Sequence, residues 1–299
     1  MSLNNRIGWM LFSLSMSLQL IAQEFKPVKF PSHYVAQLDV VYVSQGAWEG
    51  RMDVYFQPKA EQPTPIILNI HGGGWNHGEK ESQTGFAGFF KKGFAVANIE
   101  YRLSDVASAP AAIVDVRCAL IYLLTHAEDL NIDREKVYIM GGSAGGHLAL
   151  MAGLMGNNRH FDGDCSYEGE IKVAAIIDKY GPTDLVPLSQ KGSVKRWLGE
   201  QSKDLAFVES VSPVYQVDSN SPAVLILHGT ADATVSIEHS EKLYALLKEN
   251  GVRTEFIRIE GGGHGGFSKE EMDAIKSKMW LFLEELQLED QALSERQGE

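Results

Sequence analysis

The stretch Val137-Tyr-Ile-Met-Gly-Gly-Ser-Ala-Gly-Gly-His147 decides how this chain is read: a hydrophobic run stops abruptly at glycines, with Ser143 in their midst. Such a run predicts a strand turning sharply into a helix, and Gly141-Gly142-Ser143-Ala144-Gly145 fits the Gly-x-Ser-x-Gly pattern of a nucleophile elbow. The glycines have a steric reason, since a tight strand-to-helix turn brings two backbones close together. By itself the turn also admits a phosphate-holding loop or close packing alone, as the lesser alternative.

Working outward, strands and helices alternate on both sides of it. Buried-strand runs are expected at Ile66–Ile70, Phe94–Ile99, Val173–Ile177, Ala223–Leu227 and Thr254–Ile259. Helices are expected over Phe86–Lys92, Ala111–Leu130, Ala144–Met155, Ser236–Asn250 and Lys269–Leu286. Tyr34–Val43 and Met52–Phe56 read as an antiparallel pair joined through a loop at Ser44–Gly50. The pattern predicts an α/β fold with a mostly parallel central sheet and helices on both faces, in which ligands gather at the carboxyl ends of strands. Residues 181–213, punctuated by Pro182, Pro187 and Pro213, break the alternation and are expected to form a small insertion near the site.

Composition narrows the function classes. The 299 residues, 44% hydrophobic and 22% charged, suit one large globular domain. With 39 acidic against 27 basic residues the net charge is −12, which disfavours nucleic acid and anionic membrane as partners. Residues 1–22 carry Arg6 and an apolar run ending at Ala22, the pattern of a secretory signal peptide, so residues 23–299 are taken as the folded domain and the expected location is secreted or periplasmic. Cys118 and Cys165 are the two cysteines, and whether they pair is not readable from the sequence; Cys118 reads as a small buried residue. Asp162, Asp164, Glu168 and Glu170 match no complete calcium loop and read as a solvated loop, so no metal is expected.

The unusual residues all follow strand ends: His71 to Trp75, Ser143, Asp232 and His264. Acyl transfer needs a nucleophile, a base, a carboxylate to orient the base and donors for the oxyanion, and the order Ser, Asp, His suits that chemistry. Asp184 and Glu238 compete for the acid role but sit less squarely at a strand end. His264 stands out among nine histidines because glycines flank it, while His71 and His228 read as supports for their turns.

The stretches His71-Gly-Gly-Gly-Trp75, Tyr101-Arg-Leu103, Gly141-Gly-Ser-Ala-Gly-Gly146, Leu227-His-Gly-Thr-Ala-Asp232 and Glu260-Gly-Gly-Gly-His-Gly265 together resemble α/β-hydrolases. The resemblance is to the hormone-sensitive-lipase-like carboxylesterase group, and within it to the feruloyl and acetylxylan esterase (BD-FAE type) branch. It implies Ser143 as nucleophile, Asp232 as acid, His264 as base, and an oxyanion hole built from the N–H groups of Gly73, Gly74 and Ala144. Trp75 and His147 are candidate pocket residues. No cofactor is implied, and the expected partner is a small or carbohydrate-linked ester. An amide hydrolase of the arylformamidase type shares the His-Gly-Gly-x-Trp loop, and an inactive hydrolase-fold binding module is the rival from another class. The short lead-in before the first strand predicts an open site.

Overall fold

The computed structural model describes residues 26–297, with side chains described to residue 289; the leader expected at residues 1–22 lies outside the described residues. Eight strands form one sheet in the order β1-β2-β4-β3-β5-β6-β7-β8. They are β1 Val35–Gln45, β2 Trp48–Phe56, β3 Thr64–Ile70, β4 Ala95–Ile99, β5 Ile132–Gly142, β6 Ala175–Lys179, β7 Ala223–Gly229 and β8 Thr254–Ile259. β1 pairs antiparallel with β2 and β2 with β4, and every later pairing is parallel. This is the mostly parallel α/β architecture that the alternation predicts.

Side-chain alternation along the central strands divides the core in two. Ile66, Leu68, Ile70, Ile139 and Ile176 pack with helices α2 (Ala111–Thr125) and α3 (Ala144–Leu154) on one face. Ile67, Tyr138, Ile177, Leu225 and Leu227 pack on the other face against Phe89 and Phe90 of α1 (Ala87–Lys91) and Phe282 and Leu283 of α7 (Lys269–Gln297). Burial on both faces explains why these strands read as continuous apolar runs rather than alternating ones. Among the described residues no helix is long and apolar enough to cross a membrane.

The expected loop at Ser44–Gly50 is shorter than the sequence suggests. Pairing continues through Ser44 to Glu49 and Gln45 to Trp48, leaving Gly46 with φ of 64° at the turn. Gly50 is tolerated within the strand because the Tyr42 ring covers it: a Cβ there would stand 2.6 Å from that ring. α2 ends at Thr125, five residues before the expected Leu130, where the Thr125 hydroxyl donates back to the Ile121 carbonyl at 2.8 Å. Leu130 is nevertheless buried, reached through a turn rather than through helix. β5 begins five residues earlier than expected, since Ile132–Lys136 is strand despite its charges.

A disulfide joins Cys118 of α2 to Cys165 in the loop that follows α3, closing a 47-residue separation. Cys118 is buried as expected, but as half of a crosslink. On a chain-entropy basis such a loop contributes about 4 kcal/mol by restricting the unfolded chain. Asp162 in the same loop is buried, and its carboxylate accepts from the Arg117 Nε–H at 2.7 Å, so this part of the acidic loop is tied to the core rather than solvated.

Residues 181–213 form short helical pieces, including α4 (Gly192–Leu198) and α5 (Leu205–Ser210). Trp197 and Leu198 are fully buried in the main core, so this segment is anchored as a fixed wall over the carboxyl edge of the sheet. α6 (Glu238–Glu249) follows β7, and α7 extends beyond the expected Leu286.

Candidate active site

The elbow follows from close packing at the end of β5. A Cβ on Gly141 would stand 2.1 Å from the Gly145 carbonyl oxygen, and one on Gly145 would stand 2.3 Å from that of Ile70, so only glycine lets the helix start this close to the sheet. Ser143 takes φ 56° and ψ −124°, a strained conformation for a residue with a side chain. Its N–H is held by the Lys179 carbonyl at 2.8 Å, and it stands at the N-terminus of the eleven-residue α3.

The three predicted reactive groups meet although they come from three separate strand ends. Ser143 Oγ lies 2.8 Å from His264 Nε2, and His264 Nδ1 lies 2.7 Å from Asp232 Oδ2. Asp232 Oδ1 accepts from the N–H groups of Thr234 at 2.8 Å and Val235 at 2.9 Å. Burial by itself would raise the Asp232 pKa, but the hydrogen bonds from Val235, His264 and Thr234 outweigh it and hold the carboxyl below its ordinary value. The ionised carboxylate requires Nδ1 of His264 to carry the proton, which leaves Nε2 free to accept from the serine hydroxyl.

His228 braces this acid, a contact invisible in the sequence beyond its place in the same turn. Its Nε2 faces two acceptors, the Val235 carbonyl at 2.9 Å and Asp232 Oδ2 at 3.2 Å, so that nitrogen carries hydrogen. Its Nδ1 accepts from the Ser240 hydroxyl at 2.7 Å, and burial lowers its pKa, keeping the ring neutral. The competing acids are placed elsewhere: Asp184 pairs with Lys242 Nζ at 2.6 Å, and Glu238 opens α6.

A cavity of about 500 Å³ opens beside Ser143 and is lined by Gly73, Gly74, Trp75, Ala144 and His264 among others. Gly73 and Gly74 have φ of 111° and 56°; a Cβ on Gly73 would collide with the His77 carbonyl, so that position requires glycine, and one on Gly74 would stand 3.2 Å from Ser193 Cβ. His71 supports this loop through Nδ1, 2.6 Å from the Gly72 carbonyl, and by stacking on Tyr101 at 4.3 Å. Asp232 lies behind His264 and does not line the cavity. Leu188, Ser193 and Val194 of the 181–213 segment supply part of its wall.

The pocket expectations need one correction. Trp75 lines the cavity while stacking on Trp197 at 4.8 Å, so it is both wall and anchor. His147 does not line it: fully buried, it donates through Nε2 to the Val211 carbonyl at 2.8 Å and sits edge-on to both tryptophans. One helical turn beyond Ser143 faces inward because α3 lies flat on the sheet, and burial lowers the His147 pKa to about 4. Because the Val211 carbonyl can only accept, Nε2 carries the hydrogen and donates.

Asp178 and Lys179, the last residues of β6, and Tyr180 and Gly181 directly after it carry no motif in the sequence although they lie at a strand end as the others do. Tyr180 packs against His264 with ring centroids 4.7 Å apart, and it lines the cavity together with Lys179. Asp178 is fully buried beneath them, with Oδ1 accepting from Gly181 N–H at 3.0 Å and Oδ2 without a hydrogen bond. Burial raises its pKa to about 7 against the opposing effects of that hydrogen bond and of Lys179. A carboxyl whose folded pKa exceeds its unfolded value favours folding when protonated, so its contribution is present below pH 4 and lost as pH rises through about 7. Asp178→Asn should therefore gain stability over the parent by about 2–3 kcal/mol more at pH 8 than at pH 5. Denaturant melts of both proteins at the two pH values check this, and a pH-independent difference would refute it.

Comparison with known proteins places the fold in a family. The family model BD-FAE matches residues 52–247. Esterase LipC of Mycobacterium tuberculosis is 25% identical over 68% of this chain and 53% of its own length, and the chain spans about half the length of the curated relatives it matches. A solved truncated form of a carbohydrate esterase from gut microbiota superposes with a TM-score of 0.73 at 26% identity, covering 85% of this chain and 99% of that one. An acetyl ester-xyloside bifunctional hydrolase from Caldicellulosiruptor lactoaceticus superposes with a TM-score of 0.65 at 26% identity, covering 74% and 80%.

Proposed function

This chain belongs to the BD-FAE family, and from that membership we propose that it is a serine carboxylic-ester hydrolase with Ser143 as nucleophile, His264 as base and Asp232 as orienting acid. The observation that carries the reading is the continuous relay from Ser143 Oγ through the His264 ring to Asp232, with contacts of 2.8 Å and 2.7 Å. His264 Nε2 takes the hydroxyl proton as Ser143 Oγ attacks the ester carbonyl. The resulting oxyanion is held by the N–H groups of Gly73, Gly74 and Ala144, the last at the positive end of α3. The same histidine returns its proton to the leaving alcohol, and then activates a water that clears the acyl-enzyme.

The substrates proposed are acetyl or feruloyl esters on plant or algal polysaccharide, or small esters of the same kind. Support comes from the carbohydrate esterases among the similar solved proteins and from a cavity with an apolar Trp75 wall beside the nucleophile. Secretion or periplasmic export is proposed with it: the apolar leader and the Cys118–Cys165 crosslink both suit an oxidising compartment.

Side-by-side rates on acetylated xylan, methyl ferulate and formylkynurenine test the substrate class. We expect kcat/KM on acetylated xylan or methyl ferulate to exceed that on the formamide by at least about tenfold, since an amide leaving group needs stronger protonation than an alcohol. Preference for formylkynurenine would replace the esterase reading with the amidase one.

A further inference from the structure

The cavity beside Ser143 contains a charge that acyl transfer leaves unused. Lys179 is the lone Lys, Arg, Asp or Glu among the described residues lining it. The backbone of Lys179 anchors the elbow, its carbonyl accepting from Ser143 N–H at 2.8 Å, but its half-buried ammonium makes no hydrogen bond or ion pair with any described residue. Asp178 attracts it electrostatically from the opposite face of β6, where the carboxyl packs against Gly146 and Gly181.

A second donor stands beside the ammonium. Lys179 Cε and the Tyr180 hydroxyl approach the same point, lying 3.5 Å and 3.3 Å from where a Cβ on Gly142 would be. The hydroxyl likewise has no hydrogen-bond partner among the described residues. An ammonium in partly desolvated surroundings is unfavourable until an anion meets it, and burial accordingly pulls the Lys179 pKa down. An ammonium and a phenol hydroxyl carried beside Gly142, the residue before the nucleophile, are donors of the kind that the two oxygens of a carboxylate accept from. The net charge of −12 is spread over the surface and screened beyond about 8 Å, so nearby charges decide the potential in the cavity: Lys179 lines it, while the Asp232 carboxylate stands behind His264 and is hydrogen-bonded there.

We propose that Lys179, with the Tyr180 hydroxyl, determines specificity by binding a carboxylate carried on the ester substrate, so that anionic esters are preferred over neutral ones of the same shape. The inference rests on the serine-esterase reading and deepens it by naming a charge on the substrate. The carboxylate has two possible positions. On the alcohol side it belongs to an acetylated uronic acid, and on the acyl side to a half-ester of a dicarboxylic acid.

Two matched pairs separate these. Acetylated methyl glucuronide is compared with acetylated methyl glucoside, and 4-nitrophenyl hydrogen succinate with 4-nitrophenyl butyrate, for the parent enzyme, Lys179→Gln and Lys179→Arg. In one pair the parent should favour the anionic member, and Lys179→Gln should lower the anionic-to-neutral ratio of kcat/KM by about 10- to 100-fold, mostly through KM. Lys179→Arg should keep most of that preference, and raising the salt from about 0.05 M to about 0.5 M, roughly a threefold change in screening length, should shrink it in the parent and in Lys179→Arg but not in Lys179→Gln. The pair that responds identifies the side. If the parent turns over the neutral esters but shows no anionic preference, or if Lys179→Gln slows both members of each pair alike, the proposal falls while the esterase reading stands. If no ester of either pair is hydrolysed, both fall.

Discussion

Replacing Ser143 with alanine should lower kcat on 4-nitrophenyl acetate by roughly 10⁶ while leaving the fold intact, because the nucleophile vanishes but the strained turn that carries it does not. The two consequences separate cleanly here. Ser143 holds φ at 56° for reasons outside its own side chain: the Lys179 carbonyl fixes its N–H, and Gly141 and Gly145 lock strand against helix. Alanine keeps a Cβ and therefore the strain, so its stability should match the parent within about 1 kcal/mol. Ser143→Gly removes the Cβ and should be equally inactive yet more stable, by about 1 kcal/mol of the 1–3 that such a conformation costs. Purified proteins, compared by initial rates and thermal melts, give both readings at once. Substantial ester turnover by Ser143→Ala would assign the nucleophile to another residue, and a less stable Ser143→Gly would refute the account of strain.

How much of this was legible in the sequence depended on whether a feature was local. The elbow was, because glycines and an abrupt end to an apolar run are steric necessities of a turn in which backbones touch. So were the other reactive groups, since burial on both faces makes the central parallel strands continuous apolar runs whose ends are easy to find, and the glycines around His264 mark the end of the edge strand β8. Less readable were features decided across the sheet. Ile132–Lys136 is strand although charged, because Thr64 pairs with Ile132 at the rim where charges reach water. Ala111–Leu130 kept a helical apolar rhythm to the end, yet the hydroxyl of Thr125 and the turn after it stop the helix early. His147 shared a helix with the nucleophile, but which face of α3 meets the core is set by the packing of Trp75 and Trp197, two residues distant in sequence. Asp178, Lys179 and Tyr180 had the right address, at the carboxyl end of a strand, and lacked only a familiar motif. Position at the carboxyl edge of the sheet was the more general signal.

Under the proposed mechanism Asp232 gives the second large effect, and its local hydrogen bonds fix the outcome of a nearly isosteric change. In Asp232→Asn one end of the side chain must still face the N–H groups of Thr234 and Val235, which lie 2.8 Å and 2.9 Å from Oδ1. Only the amide oxygen can accept there, so the NH₂ takes the place of Oδ2, 2.7 Å from His264 Nδ1. That group donates, forcing Nδ1 to become an acceptor and moving the ring proton to Nε2. The imidazole then presents N–H to the Ser143 hydroxyl, 2.8 Å away, and cannot take its proton. His228 deepens the conflict, because its Nε2–H, 3.2 Å from the same position, would point at the new NH₂. Turning the amide over would set NH₂ against two backbone donors, which is worse still. Asp232→Asn should therefore lower kcat by about 10⁴ at neutral pH with KM little changed, since the acid sits behind His264 and outside the cavity. Asp232→Ala frees the histidine from the wrong tautomer and should retain more activity than the asparagine variant, even though it removes more of the side chain. An asparagine variant at least as active as the alanine one would show that Asp232 acts through its charge alone and that the tautomer is not what it controls.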